Sequence, residues 1–128
     1  MCVGTLAQVV DLTYKGPDLP SEVSVFRDIA SGLHYIHTAK LMHLNIKPEN
    51  ILISKDARIK VSDLGFFGRS TRSDNCWLAP EVLEILSIGR TRVTRSDKNI
   101  SWKVTPSSDI FSAGCVFFFL LHSRSSTR

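Results

Sequence analysis

His43-Leu44-Asn45-Ile46-Lys47-Pro48-Glu49-Asn50 is the stretch of this 128-residue chain on which its reading turns. It lies between two segments of different period. Upstream, Pro20-Ser21 opens a helix with Ser21 placed as N-cap, and Val25, Phe26, Ile29, Leu33 and Ile36 share one helical face. Gly32 weakens that helix by about 1 kcal/mol against Ala and signals close packing. Downstream, Ile51-Leu52-Ile53 is a β-branched run and Ile59-Lys60-Val61 alternates. Lys55-Asp56-Ala57-Arg58 then reads as the turn of a hairpin joining them. The polar segment at 43–50 is therefore a loop held between a helix and a hairpin.

Further out, residues 5–12 are expected to form a short helix before the turn-forming Lys15-Gly16-Pro17-Asp18. Residues 63–78 hold no sustained period and read as a loop. Pro80 suits the first position of a helix running to about Leu86, and residues 87–106 are polar and basic. Ser107-Ser108-Asp109 is expected to cap a helix over 110–121, in which ten of twelve residues are hydrophobic. Helix, small β elements, long loop, helix: the order predicts an α-rich α+β chain.

Composition narrows the function classes. With 43% hydrophobic and 22% charged residues the chain is globular, of one-domain size, and neither disordered nor fibrous. Cys2, Cys76 and Cys115 show no metal-ligand spacing and no disulfide framework, so a reducing, cytoplasmic setting is expected. The net charge of +4 is smaller than the basic count of residues 89–128 alone, so a nucleic-acid partner is not expected. Ile110 to Leu121 is too short to span a bilayer, which predicts a soluble chain with a buried helix there.

Two further segments follow the loop in fixed order: Asp63-Leu64-Gly65 after the hairpin, and Ala79-Pro80-Glu81 at a helix start. Each alone is an ordinary turn or helix opening; together with 43–50 they are specific. The three resemble the C-terminal lobe of a eukaryotic protein kinase, as catalytic loop, magnesium-binding motif and end of the activation segment. Asp109-Ile110-Phe111-Ser112-Ala113-Gly114-Cys115 resembles that lobe's central hydrophobic helix, and Met1-Cys2-Val3-Gly4-Thr5-Leu6 its hinge. The wording around Asp109, with Trp77-Leu78-Ala79-Pro80-Glu81, is most similar to the inositol-requiring enzyme family. Those proteins are endoplasmic-reticulum stress sensors of the unfolded protein response that join a kinase to a ribonuclease, with the kinase facing the cytosol. The resemblance implies a partial kinase domain over residues 1–122 and a polar tail over 123–128, with the N-lobe absent.

It also implies roles. Phosphoryl transfer is positioning and charge neutralisation around a triphosphate, so ATP and Mg²⁺ are the implied cofactors. Asn50 and Asp63 would hold the metal and Lys47 would contact the transferred phosphate. Cys2 would offer its backbone to adenine, Leu52 would supply an apolar floor, and Leu64 and His43 would stack beneath the site. Asp109 would brace the catalytic loop. Asn45 stands where the catalytic base, an aspartate, belongs, and an amide does not accept a proton near neutral pH. General-base assistance is worth roughly 10²–10⁴-fold. Leu44 replaces the arginine that would anchor a phosphorylated activation loop, and no partner for Glu81 follows.

The expected function is thus a serine/threonine-type kinase-like fragment with remnants of the ATP and magnesium machinery, catalytically inactive through Asn45 and the missing N-lobe. A site open on that side forgoes adenine burial, so affinity for Mg-ATP weaker than about 1 mM is expected. The alternative is an interaction module that pairs with a full-length stress-sensor kinase. Ser70, Thr71 and Ser73 are read as ordinary loop polarity, Arg90 to Arg95 as a solvated basic loop, and Asn99-Ile100-Ser101 as an unused glycosylation sequon. His34, His37 and His122 are read as surface or packed histidines. Phe117, Phe118, Phe119 and Leu120 are expected to form an exposed patch that leaves the isolated chain molten, aggregated or dependent on a partner.

Overall fold

Thr5 is where strand gives way to helix. The computed structural model describes residues 1–64, 74–87 and 104–125, and in it a strand β1 (Cys2–Thr5) precedes a helix α1 (Leu6–Val10). The Thr5 hydroxyl accepts from the Gln8 amide while the Gln8 side chain accepts from the Thr5 amide, a closed capping box. The helix expected over 5–12 is therefore shorter, and the hinge segment ahead of it is extended.

The long helix α2 (Glu22–Thr38) is capped by Ser21, whose hydroxyl accepts from the Ser24 amide. It buries Val25, Ile29 and Leu33. Gly32 faces the hairpin, where an added Cβ would meet Val61 Cγ2 at 3.2 Å. The helix ends in a left-handed residue, Lys40 (φ 58°), with Leu41 N–H donating to Ile36 C=O and Lys40 N–H to His37 C=O. This paired reverse turn points the chain into the segment at 43–50.

Strands β2 (Ile51–Ser54) and β3 (Ile59–Val61) form the expected hairpin, with Ile53 opposite Ile59 and Ile51 opposite Val61. β1 joins β2 antiparallel, giving a three-stranded sheet in the order β1-β2-β3. Ile51 and Ile53 turn into the core; Leu52, opposite Thr5 and Lys60, lies half-buried on the other face.

Helix α3 (Pro80–Ser87) begins at Pro80 as expected. The last described helix, α4 (Pro106–Ser125), is longer at both ends than expected. Pro106 occupies its first position, so Ser107, Ser108 and Asp109 lie inside the first turns rather than capping them. At the other end Ser123, Arg124 and Ser125 continue the helix, and Arg124 pairs with Glu22 at 3.4 Å at the start of α2.

One core joins α1, α2, the sheet and α4 through residues including Leu6, Ile29, Leu33, Ile51, Val116 and Leu120. A second groups Leu78, Ala79, Val82, Ile85 and Val104. The expected patch at 117–120 is corrected by this packing. Leu120 is fully buried, and Phe117 stacks on Phe26 with centroids 4.2 Å apart. The exposed apolar residues of α4 are Ile110, Phe111, Phe118, Phe119 and Leu121. Among the described residues no helix is long and apolar enough to cross a membrane.

Candidate active site

The segment 43–50 leaves α2 extended and closes with a 3₁₀ turn over Pro48–Asn50. Its geometry is set by one buried carboxylate. Asp109, 1% exposed on the first turns of α4, accepts from His43 N–H at 2.7 Å and from His37 Nε2 at 2.8 Å through Oδ2. Its Oδ1 accepts from Leu44 N–H at 2.8 Å. Three donors from α2 and the loop thus converge on one side chain of α4, which is how a buried charge is tolerated.

His43 carries the contact onward. Its Nδ1 accepts from Asn45 N–H at 3.1 Å, which leaves the proton on Nε2 to donate to Ser62 C=O at 2.7 Å. The buried imidazole therefore ties the loop to the residue just before Asp63. A second tie runs through Asn50: its Nδ2 donates to Asn45 C=O at 2.8 Å. Its own carbonyl accepts both the amide and the hydroxyl of Ser62, at 2.9 and 3.0 Å. Asn45, Asn50 and Asp63 are consequently held in one frame.

Leu44 and Asp63 both adopt φ 60°, the left-handed region. Each costs roughly 1–3 kcal/mol for a residue with a side chain, and such strain collects where surrounding bonds enforce it. The bonds at Leu44 N–H and at Ser62 do that here. Leu44 turns its side chain onto the second core group, which explains why an apolar residue serves where the resemblance leads one to expect arginine.

Of the residues singled out from the sequence, Asn45, Lys47, Asn50 and Asp63 fall along this frame, Asp63 being exposed and Asn50 buried. Asn50 and Asp63 offer a carbonyl and a carboxylate oxygen, hard donors of the kind a magnesium ion takes alongside water and phosphate. Cys2 is exposed on β1 across from Ser54, and Leu52 lies on the sheet face turned from the core. Leu64 does not stack beneath the site with His43: it is 39% exposed, and only His43 is buried there. Gly65, Ser70, Thr71, Ser73, the basic run 90–95 and the sequon at 99–101 lie outside the described residues.

Three residues take a part in this frame that the sequence reading did not give them. His37, read as a packed or surface histidine, is a donor to Asp109; its signal was its place four residues after Leu33, on the buried face of α2. Ser62 links His43 to Asn50. Ser108 gives Glu81 the partner that the sequence did not supply, its Oγ donating to Glu81 Oε1 and joining α3 to α4.

Comparison with known proteins matches the same segments. The protein kinase domain family model covers residues 6–128. A probable protein kinase of Dictyostelium discoideum is 35% identical over 96 residues, covering 71% of this chain and 22% of that protein. The serine/threonine-protein kinase/endoribonuclease ireA of Aspergillus fumigatus is 27% identical, covering 94% of this chain and 14% of its own length. The kinase/endoribonuclease IRE1a of Arabidopsis thaliana is 29% identical, covering 83% and 12%. The chain thus spans less than a quarter of the length of each of these relatives. With the family model running from Leu6 onward through the loop, the hairpin and the helix that braces them, this chain belongs to the protein kinase domain family.

Proposed function

We propose that this chain is a kinase-like module of the serine/threonine type that keeps seats for Mg²⁺ and ATP and does not transfer phosphate. The observation that carries the reading is Asn45. The loop around it is fully braced through His43, Asn50 and Asp109, yet the side chain at the base position is a carboxamide. It orients a hydroxyl by hydrogen bonding and leaves the hydroxyl proton in place.

The remaining roles follow the donor chemistry. Asn50 Oδ1 and the Asp63 carboxylate would hold the metal, which supplies charge neutralisation at the phosphates. Lys47 would add a cation at the transferred group, the Cys2 backbone would receive adenine, and Leu52, on the sheet face turned from the core, would supply its apolar floor. The kinase/endoribonucleases ireA and IRE1a among its relatives support the likeness to the inositol-requiring enzyme family, and that likeness would place the module among stress-sensor kinases of the unfolded protein response, with the chain in the cytosol.

Incubation of the purified chain with γ-labelled ATP, Mg²⁺ and a generic protein substrate tests this. No label is expected in the chain or in the substrate. Incorporation that Asp63→Ala abolishes would overturn the reading, because it would show transfer through this site despite Asn45.

A further inference from the structure

Neither Gly4 nor Gly16 lies in the left-handed region, so backbone conformation alone does not call for glycine at either position. A neighbour does. A Cβ added at Gly4 would sit 2.7 and 2.8 Å from Cδ2 and Cε2 of Tyr14, and one added at Gly16 would overlap the Tyr14 Cζ and hydroxyl. Two glycines, one on β1 and one in the loop after α1, thus admit a single aromatic ring at closer range than a Cβ permits. The ring packs against the main core. Its hydroxyl is buried and has no hydrogen-bond partner among the described residues, so shape holds it in place.

Tyr14 is tied to the same strand through the backbone. Its N–H and that of Thr13 both donate to Gln8 C=O, at 3.0 and 2.9 Å, while Gln8 Oε1 accepts from Thr5 N–H at 2.9 Å. The end of β1 is therefore gripped by Tyr14 and Gln8 together. The strand needs a grip there. From Cys2 to Gly4 it advances two residues while β2 advances one, from Ser54 to Ile53, so Val3 is an extra residue outside the pairing. At such a bulge the ladder no longer dictates where the backbone points, and bulges collect beside functional sites.

We propose that Tyr14 is a positioning residue for the nucleotide seat: its ring, set on Gly4, fixes the bulge at Val3 and with it the direction in which Cys2 would present its backbone to adenine. The inference rests on the reading of Cys2 given above and adds the residue that holds the strand in place. Because the ring acts by filling space, its aromatic body carries the role and the hydroxyl does not. Fixing a binding segment beforehand raises affinity by removing the cost of ordering it. The effect falls on the base. The phosphates would meet Lys47, Asn50 and Asp63 on the frame that His43 and Asn50 brace separately.

Titration of the isotope-labelled full chain with Mg-ATP, and in parallel with Mg-tripolyphosphate, which lacks the base, tests this by NMR. In the parent, Mg-ATP should move the Cys2 and Val3 amide signals and Mg-tripolyphosphate should not. Tyr14→Phe should bind both probes within about twofold of the parent. Tyr14→Leu should weaken Mg-ATP by roughly tenfold and leave Mg-tripolyphosphate unchanged, a split that a general loss of folding does not produce. Gly4→Ala, which pushes the strand off the ring, should do the same. Combined, the two should lose less than the product of the single losses, since the smaller side chain leaves room for the methyl group. Equal losses for the two probes overturn the proposal, as does a Tyr14→Phe variant as weak as Tyr14→Leu. A parent that responds to Mg-ATP while Tyr14→Leu binds it unchanged overturns the positioning role alone. A parent in which Mg-ATP moves no amide of β1 overturns the reading of Cys2, and the proposal with it.

Discussion

The two faces of α4 reverse the usual division of residue types. Toward the rest of the chain its first turns present Ser108, Asp109 and Ser112, all buried; toward solvent they present Ile110 and Phe111. The difference shows that burial here follows partners rather than polarity. The inner polar groups have donors and acceptors waiting: three for Asp109, Glu81 for Ser108, and the Ser108 carbonyl for Ser112. A buried polar group so satisfied costs little, and it fixes geometry that apolar packing would leave loose. The outer apolar groups Ile110 and Phe111 have no comparable neighbours among the described residues.

The strongest way to break this contrast is Asp109→Ala. It leaves His43 N–H, Leu44 N–H and the His37 ring without their shared acceptor. A loss of about 3–5 kcal/mol is expected, as for removal of one member of a buried charged network. Urea unfolding at fixed chain concentration measures it, and Asp109→Asn, which keeps one carbonyl acceptor, should lose less. A loss below about 1 kcal/mol would mean that the loop is held by something other than this carboxylate.

Adjacent leucines sharpen the comparison. Leu120 is fully buried and Leu121 is 48% exposed. Leu120→Ala should cost about 2–5 kcal/mol. Leu121→Ala should stay within about 0.5 kcal/mol. Equal costs would show that α4 is turned differently about its axis.

Much of the inner frame was legible from sequence, because its chemistry is written in short polar motifs of fixed order. Those motifs carry the resemblance, which implied the loop at 43–50 and the brace at Asp109, while the hairpin follows from its β-branched and alternating runs and the α2 face from apolar spacing. The rest failed for local reasons. A four-residue strand is too short to show a period, so β1 was hidden, although Thr5-Leu6-Ala7-Gln8 carried a capping-box signal for the start of α1. Ser107-Ser108-Asp109 looks like a cap, yet Pro106 before it takes the first helical position and turns two of the three inward. Which of Phe117 to Leu120 is exposed depends on where α2 lies, since Phe117 is covered by Phe26. Leu64 was assigned by resemblance alone, and nothing in the sequence signals its exposure.

Ser108→Ala tests the inner face at smaller scale. It removes the hydroxyl that reaches Glu81 and leaves that carboxylate with one fewer donor. About 1–2 kcal/mol should be lost, and the double variant with Glu81→Gln should lose less than the sum of the singles. Strict additivity would mean that the two side chains do not share a bond in solution.

The smallest effect comes from a surface counterpart of Asp109. Asp28, on α2, also accepts three hydrogen bonds: from Arg58 Nε and Nη2 and from Ile59 N–H, each at 3.0 Å. The Arg58 guanidinium is largely in water, so solvent screens the pair and its worth is well below that of the buried brace. The Arg58 hydrogen bonds nevertheless hold the Asp28 carboxyl below the usual carboxylate range, with help from Ile59 N–H against the opposing pull of desolvation. A carboxylate whose folded-state pKa is lowered adds stability above its unfolded pKa of about 4, and that part is lost as pH falls through the lowered value. Asp28→Asn should therefore be less stable than the parent at neutral pH, with the gap closing as acid protonates Asp28 in both states. Chemical unfolding at a series of pH values reads that gap directly. A gap that stays constant from pH 7 to pH 2 would separate Asp28 from acid stability.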